Sequence, residues 1–128
     1  MNTTPLPFAV AMALFVVTAS LSAHHGAAAY DIEHPTERPA IVTAFEWRNP
    51  HALLRFDVKD DTGATEHWVA ETAGLVILVR AGWDRHALKP GDHVTVVGFR
   101  ATNGTNSMLL RRVVLADGHE LTNFIPTQ

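Results

Sequence analysis

From Ala40 onward the chain alternates apolar and polar residues with a period of two, and turn residues interrupt that alternation at short intervals. A period of two puts every second side chain on one face, the pattern of half-buried strands. The first stretch is Ala40 to Trp47, with Ile41, Thr43, Phe45 and Trp47 on one face and Val42, Ala44 and Glu46 on the other. Arg48-Asn49 turns the chain and Pro50 blocks continuation of the ladder. In the second stretch, His51 to Val58, Ala52, Leu54, Phe56 and Val58 face inward while His51, Arg55 and Asp57 face water. Asp60-Asp61-Thr62-Gly63 is a hairpin turn, and Thr65 to Glu71 is the third strand, with Trp68 and Ala70 inside. Pairing Lys59 with Thr65 sets Phe56 opposite Trp68, Leu54 opposite Ala70 and Asp57 opposite His67. Apolar then meets apolar and charge meets charge, so the register is self-consistent. The same arithmetic on the first hairpin pairs Phe45 with Ala52 and Glu46 with His51.

Between Ala73 and Ala81 the alternation stops. Leu75-Val76-Ile77-Leu78-Val79, followed by Gly82, predicts a short buried helix ended by glycine. Its β-branched content leaves a fourth inner strand as the alternative. Asp84 is placed to cap a further turn, and Lys89-Pro90-Gly91-Asp92 is a strong turn. His93 to Arg100 and Met108 to Leu115 are the last two strands, joined around Asn103-Gly104. Three strands, a helix and two strands predict an all-β domain with one short helix, a five-stranded OB-like partly open β-barrel. A sandwich would want about seven strands. The barrel is expected over residues 40–119, preceded by a His-containing leader at 24–39 and followed by a C-terminal tail at 120–128.

The first 23 residues differ from the rest. They carry no charged side chain, and Phe8 to Val17 is an unbroken apolar run of ten residues. A membrane-spanning helix needs about 20, so the run suits the core of a secretory signal, with small residues ending in Ser22-Ala23 before the cut. No basic residue opens the segment, and Leu21 is mediocre three places before the bond. Cutting at Ala27 or Ala28, or a retained anchor, are the alternatives. Export and cleavage after Ala23 predict a periplasmic or secreted protein with no membrane span in the mature chain.

Composition excludes several functions. Ten Lys and Arg against 13 Asp and Glu give a net charge of −3, which argues against a nucleic-acid partner. With no cysteine there is no disulfide, no thiolate ligand and no thiol catalysis. Ser107 is the sole serine after Ala23 and sits in no nucleophile elbow, and no zinc helix, phosphate loop or dinucleotide fingerprint occurs. The sequence therefore reads as a non-enzymatic domain.

Histidine is the unusual residue. All eight lie after the expected cut, and cleavage after Ala23 makes His24 the first residue, followed by His25. A terminal histidine offers an amine and an imidazole close enough to chelate one ion, and the amine gives up its proton near neutral pH. Nitrogen donors of this kind suit Cu(II). His51, at the start of the second strand, is the first choice for a third ligand, against the plainer reading that it hydrogen-bonds Glu46. His67 opposite Asp57 reads as a surface ion pair, and His86, His93 and His119 as solvent-facing turn residues. Trp47, Trp68 and Trp83 with Phe45, Phe56 and Phe99 could form a stacking platform, but core packing is the better account of Trp68 and Phe56.

Several motifs occur together in a fixed order. They are Ala23-His24-His25-Gly26, Tyr30-Asp31, Glu46-Trp47-Arg48-Asn49-Pro50-His51, His67-Trp68, Arg80-Ala81-Gly82-Trp83 and Leu88-Lys89-Pro90-Gly91-Asp92 before Val94-Thr95-Val96-Val97-Gly98. This set resembles a family of small exported bacterial proteins known only as domain of unknown function 6152. The resemblance covers about residues 24–118 and implies export and a compact β-barrel, but no activity. Gly26 departs from it, since a serine usually follows the His-His pair. The leading expectation is thus a copper-binding barrel using His24, His25 and His51. An accessory domain for a small ligand or an envelope protein partner is the alternative, and a copper-dependent redox enzyme a third reading.

Overall fold

A computed structural model describes residues 27–123; the expected signal segment, His24 and His25, and residues 124–128 lie outside the described residues. After one 3-10 turn at Ala27–Ala29 come β1 (Tyr30–Glu46), β2 (Leu53–Lys59), β3 (Thr65–Glu71), α1 (Leu75–Arg80), β4 (His93–Ala101), β5 (Ser107–Leu115) and β6 (Glu120–Thr122). The sheet runs β3-β2-β1-β4-β5-β6, and a parallel pairing of β3 with β5 closes it. Five strands thus form an OB-like mixed barrel with its helix between β3 and β4, as the strand count and order predict. The sixth strand is extra: β5 gives Ser107, Met108 and Leu109 to β3 and Arg112 to Val114 to β6 along the same edge.

The β2–β3 hairpin has the predicted register throughout, with Phe56 opposite Trp68, Leu54 opposite Ala70 and Asp57 opposite His67. Phe56 and Trp68 stack with ring centres 6.3 Å apart. Around them Leu54, Leu78, Trp83, Val96, Met108 and Leu110 form the core. α1 forms where the alternation stops, but it is not the buried helix expected: Leu78 is its one buried residue, and Val76, Ile77 and Val79 are exposed. Gly82 ends it with φ +89°, a left-handed conformation that suits glycine, while the Trp83 N–H reaches back to the Leu78 carbonyl. Asp84 caps the next turn through the His86 N–H, at 2.6 Å.

Four expectations about the strands are corrected. The first strand begins at Tyr30 rather than Ala40, so residues 30–39 of the supposed leader are barrel, paired with β4 from Tyr30–Ala101 to Ile41–His93. Pro35 and Pro39 disguise this half of β1. β2 joins β1 only from Ile41, so the other side of that half is an open edge, where a missing N–H costs least. The first hairpin is shifted: Phe45 lies opposite Leu54 and Glu46 opposite Leu53, because a loop from Trp47 to Ala52, containing a cis Asn49–Pro50 bond, replaces a tight turn. A bulge between Val42 and Ala44 also breaks the single face read for the first strand. Val42 exchanges backbone hydrogen bonds with the Pro-Gly-Asp turn (Gly91 N–H to its carbonyl, its own N–H to Asp92), and the phase then switches so that Phe45 and Trp47 pack on the core. Finally, residues 120–122 of the expected tail form β6.

Candidate functional site

The open end of the β2–β3 hairpin carries the most informative histidine. The last pair of that ladder is Leu53 with Glu71. Just beyond it, the Thr72 N–H and hydroxyl both bond the Ala52 carbonyl, which fixes the end of the Trp47–Ala52 loop against the exit of β3. His51 is thereby held beside Glu71, and its Nδ1 bonds the Glu71 Oε1. Tyr30, the first residue of β1, donates its hydroxyl to the other carboxylate oxygen at 3.3 Å. Burial, then the charge of Glu71 and the hydrogen bond to it, push the Tyr30 phenol above its ordinary value, so it stays a neutral donor. A carboxylate only accepts, so Nδ1 is the protonated nitrogen facing it, and in the neutral tautomer of the ring the lone pair falls on Nε2.

This geometry corrects the expected Glu46–His51 pair. Glu46 turns instead to the guanidinium of Arg55, with Arg48 at 3.5 Å, and the Arg55 hydrogen bond holds its carboxyl below the usual range. Glu71 was missed because it lies 20 residues from His51. The Lys59–Thr65 register already contained the signal, since continuing it sets Leu53 opposite Glu71, two residues from His51.

The remaining histidines take plainer positions. His67 meets Asp57 at 2.7 Å as predicted, and His34 pairs with Asp31 at 3.0 Å. His86, His93 and His119 are exposed. Among the described residues, no three His, Asp or Glu side chains converge to hold a metal. A site built on His51 therefore depends on His24 and His25, which lie outside them. Trp68, Trp83 and Phe56 are buried, and Phe45 packs between Trp47 (5.9 Å) and Trp83 (5.7 Å), so these aromatics serve the core rather than an open platform.

A small OB-like barrel, with a histidine oriented by a Glu–Tyr pair at one hairpin end, defines the class. The chain belongs to a family of unknown function (DUF6152), whose model matches residues 12–110 and so spans Tyr30, His51 and Glu71. No curated protein and no solved structure matches it.

Proposed function

We propose that the protein is exported, is cleaved after Ala23, and binds a transition-metal ion, copper first, through the His24 amine and imidazole, His25 and His51. One observation carries this reading: Glu71, itself held by Tyr30, occupies the Nδ1 of His51 and leaves Nε2 for a ligand. Metal-bound histidines commonly have their other ring nitrogen fixed by a carboxylate in this way. Chain length is compatible. His24 is six residues before Tyr30; with Ala27–Ala29 wound as a 3-10 turn at about 2 Å per residue, and the rest extended at about 3.3–3.6 Å per residue, the link reaches roughly 16 Å. Such a nitrogen site suits Cu(II), with Glu71 as a positioning residue that sets the tautomer.

Mass spectrometry of the exported protein fixes the terminus; a chain starting after His25 removes the amine–imidazole chelate and ends this reading. With a His24 terminus, Cu(II) titration is expected to give tight one-to-one binding, weakened about 10-fold or more by His51→Ala and by Glu71→Gln. Affinity unchanged by His51→Ala removes His51 from the site.

A second reading, an accessory domain that docks an envelope protein partner, is favoured by α1. Val76 and Val79 are 67% and 59% exposed beside a shallow groove lined by Trp47 and Leu75. Weak copper binding, equal in wild type, His24→Ala and His51→Ala, would favour it.

A further inference from the structure

β1 and β4 each aim an arginine at the barrel interior. Arg38 keeps the parity of the buried Ala40 and Val42, and Arg100 that of Val94, Val96 and Gly98. Both converge on one ring: their guanidinium carbons lie 5.2 and 4.8 Å from the centre of the Trp68 indole. Trp68 is 3% exposed, stacks on Phe56 and donates its N–H to Glu66 at 2.9 Å. The indole is thus a fixed, buried partner that the two cations share, not a surface for a ligand.

What the pair lacks is a carboxylate in direct contact. Among the described residues neither Arg38 nor Arg100 has a carboxylate within 4.0 Å, and the Arg38 Nε is buried without a hydrogen-bond partner. Arg112 provides the contrast: its Nε also lacks a hydrogen bond, but Glu120 lies at 3.4 Å and Glu37 at 4.0 Å. Sharing one ring keeps the two guanidinium carbons at most about 10 Å apart, where like charges repel in a poorly solvated setting. Approach is from the Arg100 side: Arg100, though not Arg38 or Trp68, lines an open groove of about 780 Å³ between the start of β1 and the β4–β5 loop. Asp31 and Glu33 line the same groove, which disfavours a large polyanion.

We propose that Arg38 and Arg100 form a binding site for a small oxyanion, a carboxylate or a phosphate, bridged between their guanidinium forks over Trp68. Planar forks with fixed N–H donors suit such anions, and the anion would supply the acceptor that the Arg38 Nε lacks. The site is independent of the metal reading, since none of the three residues belongs to it.

The test titrates the mature protein with inorganic phosphate and, separately, succinate, in chloride at constant ionic strength, following tryptophan fluorescence and Tm. At least one anion should give a saturable change. Arg100→Gln and Arg38→Gln should raise its dissociation constant tenfold or more, and Arg100→Lys, which keeps the charge but not the fork, severalfold. Cooperative melting in chloride shows that each variant folds, and the Arg100→Lys comparison remains if a glutamine variant does not. A response to both anions that never saturates, or a saturable one left unchanged by Arg100→Gln or Arg100→Lys, overturns the proposal.

Discussion

Asp60 shows how much one exposed side chain can organise. Its Oδ1 accepts the Thr62 hydroxyl at 2.7 Å, the Thr62 N–H at 2.8 Å and the Ala64 N–H at 2.9 Å, closing the turn that sets the β2–β3 register. The Thr62 hydroxyl first, and then the backbone donors, hold this carboxyl below the ordinary aspartate value. A depressed folded-state value means that the contribution is present above the unfolded-state pKa and is lost as pH falls through the folded one. Asp60→Ala should therefore melt below wild type near neutral pH, and the difference in Tm should shrink as pH drops through the usual carboxylate range and below it. A gap that stays constant down to acid pH would show that the charged form does not hold the turn. Glu71 acts on a different object, fixing which nitrogen of His51 remains open, so the two carboxylates separate into one that sets register and one that sets a tautomer.

At the level of elements, β4 and β5 approach closely at Gly98, beside their register shift. A Cβ there would lie 2.5 Å from the Leu109 carbonyl oxygen and 2.8 Å from the Met108 sulfur. The methionine can move but the backbone oxygen cannot, so Gly98→Ala should destabilise the barrel by about 1–3 kcal/mol in urea unfolding. Wild-type stability in that variant would contradict the close approach. Such elements differ in how far their side chains announce them. The β2–β3 hairpin was legible because Leu54, Phe56, Trp68 and Ala70 share one interior face, so only one register buries all four. α1 was legible because the period of two stops. The first half of β1 was not, since Pro35, Pro39 and the charged residues around them suit an open edge and read as a leader. The bulge near Thr43 was hidden for another reason: its cause is the Gly91–Asp92 backbone, almost fifty residues away. Histidine spacing singled out His51, but not Glu71, and it could not show Arg38 at all while residues 30–39 were not read as strand.

For the whole molecule, closure depends on a stretch that looked like tail. β3 and β5 meet over only three pairs, Val69–Ser107, Ala70–Met108 and Glu71–Leu109, a short seam for closing a barrel. The segment after β5 reinforces that closure. Trp83, which follows α1, gives its indole N–H to the Thr122 carbonyl at 2.9 Å. Asn123, 3% exposed, accepts the Ala73 N–H at 2.8 Å and donates to the Leu110 carbonyl at 2.6 Å, while its own N–H bonds the Arg111 carbonyl. One amide side chain therefore ties the exit of β3 to the middle of β5, next to the seam. A buried amide with both ends satisfied costs little, but truncating it orphans a donor and an acceptor that water cannot readily reach. Asn123→Ala should thus cost about 2–6 kcal/mol, reckoned as two groups at about 1–3 each. Asn123→Asp keeps the acceptor for Ala73 but loses the donor to Leu110, and at neutral pH it sets a charge beside that carbonyl. It should be no better than alanine, and should recover as pH falls and the carboxyl becomes a donor. Urea unfolding of both variants across pH checks this. A loss under 1 kcal/mol for Asn123→Ala would mean that the three-pair seam closes the barrel unaided.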